Sequence, residues 1–188
     1  MARPALLIID MQNDFVLEGK PLRVAGAKAV IPKIQSVLSE FRKRSLPVFH
    51  VLRVHRPDGS DVEINRKELF ARAPFAVEGT KGAAVIDEIL PLKGEYVIPK
   101  TRMSAFIGTE LDLMLRTLGI STLFICGIQT PNCIRTTVFD AIAYNYPVVL
   151  VGDATGAASG EVHLANIRDM QNIGVKIAKS TEISGLLG

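Results

Sequence analysis

Thr122-Leu-Phe-Ile-Cys126-Gly127-Ile-Gln-Thr-Pro-Asn-Cys133 passes from a short unbroken apolar run, through a glycine turn, into a stretch with proline near its start. An uninterrupted apolar run suits a strand buried on both faces. Proline is favoured in the first turn of a helix, where its missing N–H has no intrahelical partner to lose. The segment therefore predicts a strand over 122–126 and a helix over 131–145. Downstream, 147–151 reads as a strand, 161–172 as a helix ending before Gly174, and 175–177 as a last strand. Upstream, the amphipathic stretch 109–118 predicts a helix that stops at Gly119.

The first half repeats the alternation less regularly. Ala5-Leu-Leu-Ile-Ile9 is a second continuous apolar run. Val30, Ile34, Val37, Leu38 and Phe41 recur at spacings of three and four, which predicts a helix over 27–44. Residues 48–54 and 96–98 read as strands and 82–90 as a short helix. Residues 56–80, rich in charge, proline and glycine, read as a long excursion with a helical turn near 65–70. Strands alternating with helices imply right-handed crossovers and a largely parallel sheet. The expected architecture is α/β: a single Rossmann-like domain over 1–188, a three-layer sandwich with a six-stranded, mostly parallel sheet and helices on both faces.

Composition agrees with one such domain. The chain has 188 residues, 48% of them apolar and 22% charged, enough to fill one core and coat it. The net charge of +3 is small. Its densest basic cluster, Arg42-Lys43-Arg44, sits at the end of a predicted helix, where cations complement the dipole, so no nucleic-acid partner is expected. No apolar run approaches the ~18 residues of a membrane helix, and no membrane partner is expected. The first strand follows Met1-Ala2-Arg3-Pro4 without room for a leader, and two cysteines make no disulfide framework. A cytoplasmic protein with free thiols is expected.

A doubly wound sheet carries its chemistry beyond the carboxyl ends of its strands. Three reactive groups stand there. Asp10 ends the first strand; a carboxylate partly withdrawn from water suits a proton acceptor, the alternative being a loop cap. Lys100 follows Tyr96-Val-Ile-Pro99 and can hold that carboxylate ionised, or can simply be a solvated lysine. Cys133 falls near the start of a helix, whose unpaired amides favour a thiolate and can receive an oxyanion, or it can be a small buried residue. Cys126, within Leu-Phe-Ile-Cys, reads as core.

Together these residues carry a resemblance. Leu6-Leu-Ile-Ile-Asp10-Met-Gln12-Asn-Asp-Phe15, Lys100-Thr-Arg-Met-Ser104-Ala-Phe106 and Gly127-Ile-Gln-Thr-Pro-Asn-Cys133 resemble the isochorismatase-like cysteine hydrolases, and Gly79-Thr80, 108–116 and Asp153-Ala154 extend the likeness over most of the chain. That superfamily includes nicotinamidases, N-carbamoylsarcosine amidohydrolases, ureidoacrylate amidohydrolases and isochorismatases. The resemblance implies Cys133 as nucleophile, Asp10 as general base and acid, and Lys100 as its partner. It also implies an oxyanion site from the backbone amides of Gln129 and Cys133, and a cis peptide between Ile128 and Gln129 that aims the former. Gln12 and Phe15 match positions that line the pocket and contact substrate, the alternative for Phe15 being a core aromatic, while Asn132, beside Cys133, can contact substrate or cap the helix. No cofactor is implied, and a homo-oligomer, dimer or tetramer, is expected.

One departure bears on metal binding. Metal-dependent nicotinamidases carry an Asp-x-His pair and a further histidine after the second strand. Here His55 stands near that place, but Arg53 or Val54 replaces the aspartate and no histidine follows within reach, so no metal is expected. His50 reads as interior, His163 as a helix-surface residue, and Arg102 or Arg135 as possible partners for a substrate carboxylate or as solvated cations. The expected activity is hydrolysis of a small amide, carbamoyl or ureido C–N bond through a thioester. Two alternatives stay open: vinyl-ether hydrolysis of the isochorismatase type, which needs the acid but not the cysteine, and a catalytically silent oligomer of the same fold.

Overall fold

Leu6 and Ile8 alternate with Ala5, Leu7 and Ile9 along the first strand, and the two sets enter different cores on opposite faces of one sheet. The computed structural model describes residues 3–20 and 22–188; Met1 and Ala2, which bear on the expected absence of a leader, lie outside them. The elements are β1 (Pro4–Ile9), α1 (Asn13–Val16), α2 (Ala27–Lys43), β2 (Val48–Arg53), α3 (Lys67–Arg72), β3 (Tyr96–Lys100), α4 (Leu111–Thr117), β4 (Thr122–Ile128), α5 (Arg135–Ala143), β5 (Val148–Gly156), α6 (Gly160–Asn172), β6 (Lys176–Ala178) and α7 (Ile183–Leu187). The six strands lie in the order β3-β2-β1-β4-β5-β6, and every neighbouring pair is parallel. All-parallel pairing explains the continuous apolar runs, because both faces of the inner strands are covered.

One face packs on α2, through Val30, Ile34, Val37, Leu38 and Phe41, with Phe41 edge-on to Phe124 at 5.4 Å. The other face is covered by residues of α4, α5 and α6, including Leu111, Leu115, Val138 and Met170. Pro99 falls within β3, an edge strand, where a missing ladder donor is tolerated. The strand order reverses between β1 and β4, and such a switch point leaves a crevice beyond the strand ends.

Several local expectations are corrected. Residues 82–90 form no helix: two single 3-10 turns, Lys81–Ala83 and Asp87–Ile89, flank extended backbone at Val85 and Ile86, and Val85 bridges to Gln12. A stretch this short cannot offset the cost of helix nucleation unless its apolar face is already docked. The helix expected over 131–145 is divided into a wide π turn, Thr130–Ile134, and the regular α5. The helix expected from residue 109 begins at Leu111, where the Thr109 hydroxyl accepts from the Leu111 amide at 3.2 Å. The basic cluster is not simply solvated. Arg42 makes two charge-assisted hydrogen bonds to Glu95, at 2.7 and 2.9 Å, and the interior His50 meets Glu95 at 2.9 Å.

That last contact predicts a pH effect. Burial opposes the charge on Glu95, but Arg42, the Leu92 amide and His50 outweigh it and hold its pKa down at about 2, from an ordinary 4.5. A depressed carboxylate pKa stabilises the fold above the unfolded value and loses that contribution as pH falls through the folded value. Glu95→Gln is expected to cost about 2 kcal/mol at pH 7. In urea titrations the gap between mutant and parent should close between pH 4.5 and 2; a gap independent of pH would show that the charge on Glu95 is not what stabilises.

Among the described residues, no helix is long and apolar enough to cross a membrane.

Candidate active site

Asp10 leaves the sheet at the end of β1 in a left-handed backbone conformation, φ 53°, which aspartate tolerates better than most residues. Its amide donates to the Val51 carbonyl at 2.8 Å and its carbonyl accepts from the Gln12 amide at 2.8 Å, so a tight turn aims the side chain over the strand ends. The carboxylate is 4% exposed. Oδ2 accepts from Lys100 Nζ at 2.9 Å, while Oδ1 is buried with no hydrogen-bond partner among the described residues. Lys100, 1% exposed at the end of β3, also donates to the Arg102 carbonyl at 3.2 Å. Neither bland alternative fits this geometry: Asp10 does not cap its loop through its side chain, and Lys100 is not solvated.

Cys133 comes from the other side of the switch point. Gly127 makes the approach possible: its φ of 112° suits glycine, and a Cβ there would collide with the Ile9 backbone. The Ile128–Gln129 peptide that follows is cis. The π turn then seats Cys133, 7% exposed, in a cavity of about 130 Å³ that it shares with Asp10, Phe15, Gln129 and Asn132. The expectation that the helix start would favour the thiolate is corrected. Burial, together with the Asp10 carboxylate, pushes the Cys133 thiol above its ordinary range, and Lys100 and Arg53 oppose this only in part. Both effects favour the protonated sulfur. Cys126 is fully buried core, its thiol pushed up by burial alone.

Of the three expected substrate contacts, Phe15 and Asn132 line the cavity. Phe15 also packs on Phe75, at 6.3 Å between centroids, and the Asn132 amide reaches Gln129 Oε1 at 3.4 Å. Gln12 does not line it. Its side chain is fully buried, donating to the carbonyls of Arg53 and Ala83, each at 2.7 Å, and accepting from the Arg53 amide at 2.8 Å. The side-chain oxygen and nitrogen that would read a substrate are occupied in tying the end of β1 to β2 and to the 81–83 turn. Arg102 and Arg135 are also committed elsewhere. Arg102 donates to the Asp61 and Thr101 carbonyls, and Arg135 pairs with Asp169 at 2.7 Å. His163 is half-buried, and its Nδ1 lies 2.9 Å from the Thr130 hydroxyl, so it braces the turn that carries Cys133.

Arg53 is the group that sequence reasoning treated only as a lost metal ligand. It ends β2 in register with Lys100, is 1% exposed, and lines the cavity. Nη1 donates to both oxygens of Glu63, at 2.8 and 3.0 Å, and Nη2 stands 3.9 Å from the sulfur of Cys133. Burial works against its charge, but Cys133, Asp10 and Glu63 more than compensate and raise its pKa further. The signal was present: a lone arginine inside the otherwise uncharged run Val48-Phe-His-Val-Leu-Arg53 must find a buried anion.

A metal does not fit here. Arg53 Nη1 lies 3.4 Å from His55 Nε2, and since a guanidinium can only donate, Nε2 accepts. That leaves Nδ1–H facing Asp61 Oδ1 at 3.3 Å. Both ring nitrogens are used, the ring is clamped edge-on by Phe70 and Phe75, and burial with Arg53 lowers its pKa, keeping it neutral. A fixed cation stands where a ligand would have to be. Among the described residues, no three His, Cys, Asp or Glu side chains converge to hold a metal. His55 instead anchors the long loop, exchanging backbone hydrogen bonds with Ala76 and Glu78.

The isochorismatase-domain family model matches residues 4–182. A probable inactive nicotinamidase of Arabidopsis thaliana is 47% identical over 176 residues, covering 92% of this chain and 90% of its own. N-carbamoylsarcosine amidase of an Arthrobacter species is 32% identical over 173 residues, covering 90% of this chain and 66% of its own. The crystal structure of an isochorismatase family protein from Desulfovibrio vulgaris superposes with a TM-score of 0.96 at 45% identity, covering 100% of this chain and 99% of that one.

Proposed function

Because the chain belongs to the isochorismatase family, we propose that it hydrolyses a small carboxamide, carbamoyl or ureido compound with Cys133 as nucleophile, Asp10 as general base and acid, and Lys100 as the cation that holds Asp10 in place. The observation that supports this most is the unpartnered Oδ1 of Asp10, buried in the cavity that Cys133 shares. A buried carboxylate oxygen left without a donor is costly unless a function uses it.

The steps follow from this arrangement. Asp10 takes the thiol proton as sulfur adds to the substrate carbonyl, while the Lys100 ammonium stays at 2.9 Å from the other carboxylate oxygen. The carbonyl π bond opens to an oxyanion, received by the backbone amides of Gln129 and Cys133. As the C–N bond breaks, Asp10 returns its proton to the leaving nitrogen, giving ammonia or an amine and an acyl-thioester. Asp10 then takes a proton from water, whose oxygen adds to the thioester, and the carboxylic product leaves as the proton goes back to sulfur. No step requires a metal.

The substrate is not assigned to nicotinamide, since Arg53 or Val54 stands where the resemblance to metal-dependent nicotinamidases would put an aspartate. The name of the Arabidopsis relative describes that protein as probably inactive; a silent fold is therefore the second reading here, and one assay separates the two. The protein is incubated with a panel of carboxamides, carbamoyl and ureido acids, with ammonia release measured, and the quenched reaction is mapped by peptide mass. Ammonia together with an acyl adduct on the Cys133 peptide is expected. A panel that yields neither would overturn the hydrolase.

A further inference from the structure

Helix α6 lies on the sheet with little of its surface covered: of its 13 residues one, Met170, is buried. Its polar links fall instead on either side of Cys133. His163 Nδ1 lies 2.9 Å from the hydroxyl of Thr130, three residues before it. Asp169 pairs at 2.7 Å with Arg135, two residues after it. The two links differ in weight. The Arg135 and Asp169 side chains are 38% and 46% exposed, and an ion pair in that setting contributes little. Thr130 is 0% exposed, and His163 is the one hydrogen-bond partner of its hydroxyl among the described residues. A threonine in a helix ordinarily bonds back to a carbonyl three or four residues earlier. Here those residues, Gly127 and Cys126, lie in β4, and the hydroxyl bonds across to α6 instead.

We infer that His163 is a positioning residue: through the Thr130 hydroxyl it holds the π turn in the shape that keeps the sulfur of Cys133 in the cavity beside Asp10. The inference rests on the proposed hydrolase reading for what that position is worth, but the brace itself can be read without turnover. The turn is closed by bonds between residues five apart, from the Ile134 amide to the Gln129 carbonyl and from the Arg135 amide to the Thr130 carbonyl. Turns of this kind are rare and short, so contacts from outside decide where their side chains point. A hydroxyl both donates and accepts, so the bond to Nδ1 forms with either tautomer of the ring. His163 does not itself line the cavity, so its effect falls on the chemical step rather than on ligand binding. A reacting atom misplaced by about 1 Å can cost about 100-fold in rate.

Side-chain isosteres separate this bond from packing alone. Asparagine places a polar atom where Nδ1 stands, glutamine places one a bond farther out, and leucine places none. His163→Leu and His163→Gln are expected to lower kcat about 30-fold with KM changed less than about threefold, while His163→Asn stays within about threefold of the parent. In a Thr130→Val background, His163→Leu should cost nothing further, because the bond is already gone. Asp169→Asn should change kcat by less than about threefold. Hydrogen exchange followed by mass spectrometry reads the brace without any substrate. Exchange in the peptide spanning 129–135 should rise at least about tenfold in His163→Leu and not in His163→Asn, with β1 and β2 unchanged. Equal losses of kcat in all three His163 variants, or a loss in none, would overturn the role of the bond, as would unchanged exchange at 129–135. A parent that hydrolyses no amide, with exchange responding as expected, would remove the hydrolase reading and leave the brace standing.

Discussion

Cys133→Ala is expected to lower amide hydrolysis by about four orders of magnitude or more while leaving the fold intact. No other described thiol can substitute: Cys126, a fully buried residue of β4, packs in the core on the α2 side of the sheet. Asp10 in the mutant would retain its carboxylate, its bond to Lys100 and its access to the cavity, so any residual rate measures what a base and a bound water achieve without covalent attack. The change removes one sulfur from a pocket wall, and the stability loss should stay below about 1.5 kcal/mol. The check is kcat/KM by ammonia release, with urea unfolding alongside. Hydrolysis that persists at the parent rate would eliminate the thioester. If activity toward a vinyl ether required Asp10 but not Cys133, the isochorismatase-type chemistry would take its place.

Lys100→Met should damage both stability and activity, for one physical reason. The Lys100–Asp10 pair has side chains 0% and 5% exposed, and its ammonium is the one hydrogen-bond donor to the carboxylate side chain among the described residues. Removing one partner of a buried pair leaves the other charge uncompensated, at a cost of about 3–5 kcal/mol. The comparison that isolates the pair is the double variant Asp10→Asn with Lys100→Met. It should recover most of the lost stability, because no charge is stranded, while hydrolysis stays absent, because no base remains. A single Lys100→Met as stable as the parent in urea would mean that the pair is not a coupled buried unit, and the role given to Lys100 would fall with it.

Much of the site was visible before any coordinates. Asp10, Lys100 and Cys133 each follow an apolar run, and the rule that parallel sheets work beyond their carboxyl ends groups them without knowledge of side-chain positions. The likeness to known cysteine hydrolases then singled out these residues among other polar groups at strand ends. What stayed hidden depends on how polar atoms pair across distant segments. Gln12 looked like a reader of substrate because it sits two residues past Asp10, yet three backbone groups from β2 and the 81–83 turn consume its amide. Arg53 looked like the absence of a ligand, and is instead a buried cation beside Cys133, matched to Glu63 ten residues on.

The sequence by itself determined the layered α/β architecture, because hydrophobic periodicity is a local property of the chain, and its likeness to known cysteine hydrolases singled out Asp10, Lys100 and Cys133 as the candidate reactive groups. Tertiary structure alone decided that burial and the Asp10 carboxylate raise the Cys133 thiol, and that Arg53 and His55 are committed to Glu63 and Asp61. Those depend on burial and on charges brought together from separate strands, and in a low-dielectric interior such non-local terms outweigh what any residue's own neighbours dictate.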